Sequence, residues 1–472
     1  MNKVGLSELG TALQQKQHSA YELTAFFLDR IEKAKHLHTF LNVNDEAALQ
    51  RAKEIDAMRI AGEKLHPLAG IPFSVKDNLC TLGVKTTCGS KMLADFIPPY
   101  DAHAVKCLKD AGMILLGKNN MDEFGMGSTG ENTAFTAAAF CHTDGKLYVP
   151  GGSSSGGAAA VKEGLTPIAL GSDTGGSVRT PAAFCGIFGL KPTYGSISRS
   201  GLVSFAPSMD TVGILGNSPA DIKLLYDVLA GKDAADATSV ELEEADVSYP
   251  TQLKAALPEE YLYADGVSKQ VREAILRQAE QMERCGYRVE PISMPMTKSA
   301  LAAYYVIACA EAAANLARFD GVRYGHRTEE YRDVNDLIAR SRSEGFGAEV
   351  KRRILMGNYV LSAGHYDAYY KKAAAVKQKI KAEFDAVLSR YDMILTPTAP
   401  TVSMPLGSKK WQAAEMYASD LCTVPASLAG LPAISVPLSE ADALPVGMQF
   451  IGRPFSEDML IKQADRICQT GR

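Results

Sequence analysis

Nowhere in the chain do two cysteines stand as Cys-x-x-Cys, and their number, nine, is odd. A paired disulfide framework and a thiol metal site of that spacing are not indicated. Cys80, Cys88, Cys107, Cys141, Cys185, Cys285, Cys309, Cys422 and Cys468 read instead as scattered, mostly buried thiols of a reducing compartment. Missing too is a cationic excess. Lys and Arg total 50 against 54 Asp and Glu, a net charge of −4, which argues against a gross electrostatic grip on nucleic acid but leaves room for a local patch. The opening MNKVGLSELG has no apolar signal core, and no later apolar run reads as long enough to span a bilayer. These absences favour a soluble cytoplasmic protein.

What is present is α/β texture. At 472 residues the chain exceeds one ordinary core, so two domains or one large α/β domain with insertions are expected. Ser19 and Glu22 form a capping box ahead of a helix, a second helix covers DEAALQRAKEIDAMRIAGEK, and Ser218-Pro219 opens another that Gly231 ends. Short apolar runs (GIPFSVKD, MILLGKN, TPIALGSD, FGLKPT, later MILTPTAP, AISVPL and GMQFIG) alternate with helical or glycine-rich segments, the rhythm of a sheet covered by helices. One continuous domain over 1–472 fits best. Within it lie a helical segment at 1–65, a core at 66–232, a helix-rich part at 266–390 and a return to the sheet at 391–472. The acidic, poorly periodic stretch from Asp233 to Asp265 reads as a surface excursion or a boundary.

Two glycine-serine turns carry the chemistry. PGGSSSGGAAA, Pro150 to Ala160, sets three hydroxyls between glycine pairs at a helix start. Its G-x-S-x-G spacing admits a hydrolase elbow with Ser154 as nucleophile and His326 or His365 as partners by chain order, a phosphate cradle, or a structural turn. A P-loop is not one of the options, because Gly157 is followed by Ala158 rather than Lys. Gly125, Gly127 and Gly130 satisfy G-x-G-x-x-G but lie too far from a strand for a dinucleotide site, and read as an ordinary loop.

The second turn, LGSDTGGSVRTPAAFCG, follows an apolar run. In it Thr174, Gly175, Gly176 and Ser177 can aim successive backbone N–H groups at one point and expose the Ser177 hydroxyl. Its base is sought in Lys76, at the end of GIPFSVKDN, where Ile71, Phe73 and Val75 alternate with Pro72, Ser74 and Lys76. Taken alone, that lysine is a solvated strand end. To act as a base it must be enclosed, because holding an ordinary lysine neutral at pH 7 costs about 4–5 kcal/mol. Alternation should turn the neighbouring Asp77 away from it.

A lysine after an apolar strand, a GGSS loop and GSDTGGSVR, in this order, resemble the amidase signature family. The resemblance implies a mixed central sheet with helices on both faces and a Ser–Ser–Lys triad: Ser177 as acylated nucleophile, Ser153 as bridging serine after a cis Gly152–Ser153 bond, and Lys76 as base. The Thr174–Ser177 backbone then serves as oxyanion hole. Further stretches, YYVIACAEAAANLARFDGVRYGHR, FGAEVKRRILMGNYVLSAGHYDAYYKKA and MYASDLCTVPASLAGLPAISVP, are similar to the glutamine-hydrolysing branch that serves tRNA-dependent amidotransferases. That branch implies Tyr304, Arg353 and Asp420 as glutamine-binding residues, with asparagine a possible donor. It also implies the amidotransferase B and C subunits as partners, and misacylated tRNA reached mainly through the B subunit. ATP and Mg²⁺ belong to that B subunit, and no cofactor, metal or membrane to this chain. Separately, Arg353 reads as one cation of a helix, Asp420 as a surface acid and Tyr304 as a core aromatic. The chain departs from the family pattern in GGSSSGG, where GGSSGGS is usual, and in lacking an Asn-Pro-Trp-Asp-like element within TAAAFCHTDGKLYVP. A stand-alone amidase and a silent assembly protein are the competing readings.

Overall fold

The computed structural model describes residues 4–242, 252–408, 413–438 and 443–470. Its strands are β1 (Phe40–Val43), β2 (Pro72–Lys76), β3 (Ile114–Asn119), β4 (Phe140–Cys141), β5 (Leu147–Tyr148), β6 (Ile168–Asp173), β7 (Phe188–Lys191), β8 (Thr211–Gly216), β9 (Lys254–Pro258), β10 (Arg288–Ile292), β11 (Met393–Pro397), β12 (Ala433–Leu438) and β13 (Val446–Ile451). Eleven of them form one mixed sheet in the order β1-β3-β2-β6-β8-β7-β12-β13-β11-β9-β10, with β4 and β5 as a separate pair. Parallel trios, β3-β2-β6 and β11-β9-β10, flank antiparallel neighbours in the middle.

Alternation along the strands sorts side chains onto two faces. Ile168, Leu170, Met393, Leu395, Ile434 and Val436 join one core, while Ala169, Ile394 and Ala433 turn to the other side. The first core is covered by helices that include Ala20–Lys33, Asp45–Ile60, Pro219–Leu229 and Glu457–Thr470. The opposite face carries Ser155–Lys162 and Arg179–Cys185, then Ala300–Leu316, Ala348–Leu361, Lys372–Leu388 and Val424–Ala429. Helix starts follow local chemistry. Ser19 accepts from Glu22 N–H while the Glu22 carboxylate accepts from Ser19 N–H, and Ser218 caps a helix whose first residue is Pro219.

Three expectations shift. The segment 1–65 is not wholly helical: β1 pairs antiparallel with β3 at the sheet edge, a four-residue strand too short for a clear period. The stretch 233–265 contains β9, whose apolar KAALP stands between acidic stretches of sequence and adds a strand to the sheet; residues 243–251 lie outside the described residues. The run Pro295–Leu316 is long and apolar enough by length and composition to cross a membrane, contrary to the sequence reading. Here it packs against the helices Ala348–Leu361 and Lys372–Leu388, which explains apolarity all round.

Candidate active site

β2 ends inside the sheet, parallel to both neighbours, with Val75 opposite Leu170 of β6. Phe73 and Val75 enter the first core, so Lys76 leaves the strand on the opposite face. It is buried, and among the described residues no carboxylate lies within ion-pair distance of it. Its Nζ stands 2.7 Å from Ser153 Oγ, 2.9 Å from Ser172 Oγ and 3.2 Å from the Ser172 carbonyl oxygen. Burial lowers its pKa to about 7, against the pull of the Asp122, Asp173 and Asp210 carboxylates. Asp77 does turn away: it accepts from the Thr87 N–H and hydroxyl and faces Lys118 at 3.4 Å.

The three serines of the first turn go three ways. Ser153 follows a cis bond from Gly152 and meets Lys76. Ser154 donates its hydroxyl to the Ser172 carbonyl at 3.3 Å, and Ser155 donates to the Asn120 carbonyl at 3.5 Å where the helix begins. Asp122 anchors this turn, accepting N–H bonds from Gly130 at 3.1 Å and Asn132 at 2.9 Å. Its carboxylate fills the space a Cβ would need at Gly152. Burial raises the Asp122 pKa to about 6 in spite of those two bonds. The glycine loop at 125–130 is thus a collar around a carboxylate, not a nucleotide cradle.

The second turn is bound to the first through backbone, the Ser154 N–H donating to the Ser177 carbonyl at 3.1 Å. No hydrogen bond joins the Ser153 and Ser177 side chains among the described residues. Asp173 gathers the turn by accepting from the N–H groups of Gly176 (2.8 Å) and Val178 (3.1 Å) and from the Arg179 guanidinium at 3.0 Å. Burial opposes its charge, but the Arg179 guanidinium and these bonds hold its carboxyl below the usual range. Of the four residues expected to form an oxyanion hole, Gly176 therefore has its N–H already committed, and the expectation narrows to Thr174, Gly175 and Ser177. Thr174 is held through its hydroxyl by Asp210 at 2.6 Å, and the Gly175 carbonyl accepts from Thr423 Oγ1 at 2.5 Å. Ser177 keeps 9% exposure against 0% for Ser153, so it is the hydroxyl open to a substrate.

Tyr304, Arg353 and Asp420 lie on the same side. Tyr304 covers Gly175 so closely that a Cβ there would stand 2.6 Å from its ring. Asp420 accepts from Ser128 Oγ at 3.0 Å and Tyr305 OH at 2.7 Å, and burial raises its pKa to about 6. Arg353 pairs with Glu349 at 2.8 Å, its guanidinium carbon 5.1 Å from the Tyr305 ring centre, 5.4 Å from Tyr417 and 5.5 Å from Phe205. Opposite charges are thus buried around one tyrosine, beside the turn that bears Ser177. The rival histidines are elsewhere. His326 faces Glu344 at 2.9 Å and His365 stacks on Tyr359 at 4.1 Å, so neither serves Ser154.

Sequence reasoning passed over Ser128, Asn78, Ser172, Asp122, Tyr305 and Glu349. Ser128 and Ser172 sat inside motifs already singled out, GMGSTG and GSDTGGSVR. Asn78 stood at the end of GIPFSVKDN, and Tyr305 and Glu349 inside the longer similar stretches, but their partners Ser172, Asp420 and Tyr417 are far away in the chain, while Asp122 lay outside every motif.

A family described as Amidase matches residues 22–461. The A subunit of glutamyl-tRNA(Gln) amidotransferase from Desulforamulus reducens is 47% identical over 97% of this chain and 95% of its own length; that of Moorella thermoacetica is 48% identical over 97% and 94%. Among solved structures, the same protein from Thermotoga maritima matches with TM-score 0.79 and 38% identity over 98% of this chain and 93% of that one. Peptide amidase from Stenotrophomonas maltophilia matches with TM-score 0.79 and 28% identity over 99% and 96%.

Proposed function

The chain belongs to the amidase family, and we propose that it is the glutamine-hydrolysing component of a tRNA-dependent amidotransferase, with Lys76, Ser153 and Ser177 as its triad. The observation that carries the chemistry is the enclosed Lys76–Ser153 pair at 2.7 Å. At a pKa of about 7, about half of Lys76 is neutral at pH 7. The amine draws a proton through Ser153 as Ser177 Oγ attacks the glutamine side-chain carbonyl carbon. The C–N bond breaks after the proton returns to the leaving nitrogen, ammonia departs, and water releases glutamate from the acyl-serine. Backbone N–H groups of the Thr174–Ser177 turn stabilise the tetrahedral oxyanion. Arg353 holds the substrate α-carboxylate, Asp420 its α-ammonium, and Tyr304 closes the pocket.

In this reading ammonia passes to the B subunit, which amidates Glu or Asp misacylated on tRNA with ATP and Mg²⁺, while the C subunit holds the cytoplasmic complex together. This chain needs no cofactor of its own. Ser177→Ala in the assembled complex loses glutamine-driven amidation and keeps amidation driven by added ammonia; loss of both would count against the division of labour. The stand-alone amidase reading is separated by assaying glutamine turnover with and without the B and C subunits, because only that alternative predicts full activity of the isolated chain.

A further inference from the structure

We infer that Ser172, held by Asn78, is a positioning residue that aims the Lys76 lone pair at Ser153. The inference rests on the reading of Lys76 as base and follows from counting hydrogens. A neutral amine has two N–H groups and one lone pair, and Lys76 Nζ has three neighbours: Ser153 Oγ, Ser172 Oγ and the Ser172 carbonyl oxygen. The carbonyl can only accept, so it takes one N–H. The relay requires the lone pair to face the Ser153 hydroxyl. The second N–H must then go to Ser172 Oγ, which has to behave as an acceptor.

Asn78 holds that oxygen in place. Its Nδ2 donates to Ser172 Oγ at 2.9 Å, the same separation as Lys76 Nζ. That donation takes one lone pair of the hydroxyl and fixes the oxygen, leaving its other lone pair to face a Lys76 N–H. Without Asn78, the Ser172 side chain would be free to turn its oxygen away from the amine, and the Lys76 lone pair would lose its aim at Ser153. The Ser172 carbonyl, which also accepts from Ser154 Oγ, fixes the amine from the other side. Ser172 and Asn78 are both buried, and among the described residues neither hydrogen-bonds to Arg353 or Asp420.

The test reads the base directly, as the rate at which a fluorophosphonate labels Ser177 (Oγ–P bond formed, P–F bond broken, fluoride released), followed by mass spectrometry across pH in the full chain assembled with its partners. The other groups acting on Lys76 are Asp122, Asp173, Asp210 and Cys88, all unchanged in the variants. In the unaltered chain, labelling rises with pH through about 7. Ser172→Ala removes an acceptor of the ammonium form, so the acid limb moves down by about one pH unit and the plateau falls about tenfold to a hundredfold. Asn78→Leu, which keeps the hydroxyl but unties its oxygen, moves both in the same direction. Ser172→Thr, retaining the acceptor, restores both. Lys76→Ala separates the two layers. If it labels at the unaltered rate, the base reading itself fails. If it is inert while Ser172→Ala and Asn78→Leu keep plateau and limb, the positioning role is overturned.

Discussion

β2 and β3 run parallel with Val75 opposite Lys118 and Lys76 opposite Asn119, so two lysines are buried on adjacent strands. Lys118 has a carboxylate beside it, Asp77 at 3.4 Å, and its Nζ also donates to the Leu79 carbonyl at 2.7 Å and Thr86 Oγ1 at 2.6 Å. Among the described residues, Lys76 hydrogen-bonds to hydroxyls and a carbonyl alone. Both are pulled down by burial, but Asp77 works chiefly on Lys118, whereas the carboxylates acting on Lys76 do so without forming an ion pair. Lys191 sharpens the lesson. Burial lowers it to about 7 as well, yet its Nζ donates to the Pro192 carbonyl at 2.9 Å and reaches no serine among the described residues. Burial lowers the pKa of a lysine; what sets Lys76 apart is the Ser153 hydroxyl within its reach.

The largest effect that can break this comparison comes from Lys76→Met. Glutamine hydrolysis should fall by at least about a thousandfold, measured as glutamate release. Stability should move the other way at pH 7, because a buried amine that has lost most of its hydration is replaced by an apolar chain. The sign with pH follows from Lys76 titrating near 7 when folded and near 10.5 when unfolded. Between those values the unfolded chain holds more protons, so the unaltered protein gains stability as pH rises and the advantage of Met shrinks. Thermal unfolding at pH 7 and pH 9 checks it; an advantage that grows with pH would contradict the assignment.

Next comes Asp77→Asn, which leaves Lys118 buried without its carboxylate. The expected loss is about 3–5 kcal/mol of stability by denaturant unfolding, with residual turnover per folded molecule far above that of Lys76→Met. If activity disappears while the unfolding midpoint stays put, the two lysines have been assigned the wrong way round.

That pairing also marks the limit of what could be read in advance. β2, β3, β6, β7, β11, β12 and β13 announce themselves as short apolar runs, and Lys76, Ser153 and Ser177 stand at motif positions. β1, β4, β8 and β9 escaped notice, β1 only four residues long and β9 set between acidic stretches of sequence. At the site, the motif serines and the lysine were legible, but the partners that tune them were not. Asn78 reaches Ser172 across 94 positions, Ser128 reaches Asp420 across 292, and Glu123 reaches the backbone of Gly347 across 224. No window along the chain contains such a pair. Even within GSDTGGSVR, that Gly176 spends its N–H on Asp173 depends on how the turn closes.

A smaller effect concerns recognition. Asp420→Asn should raise KM for glutamine about tenfold to a hundredfold with kcat nearly kept, since it removes a charge partner for the substrate ammonium but no proton path. Because burial raises Asp420 to about 6, KM of the unaltered enzyme should climb as pH falls through that value, as the carboxylate protonates and loses its attraction. A fall in kcat without a change in KM would place Asp420 in the chemistry instead.

The smallest effect, that of Ser154→Ala, is the most discriminating within the opening motif when set beside Ser153→Ala. Ser153 and Ser154 are adjacent, both buried, and both within hydrogen-bond reach of the same cluster. Their difference is direction: Ser153 Oγ meets an amine with a lone pair to give, whereas Ser154 Oγ donates to a carbonyl that can take no part in proton traffic. Ser153→Ala should therefore cost about a hundredfold or more in kcat, and Ser154→Ala no more than about threefold, because it deletes one neutral hydrogen bond and leaves the Ser172 carbonyl its bond from Lys76. Steady-state turnover of the two single variants decides it. Equal losses would mean that the turn acts as a rigid unit in which no one hydroxyl is the relay.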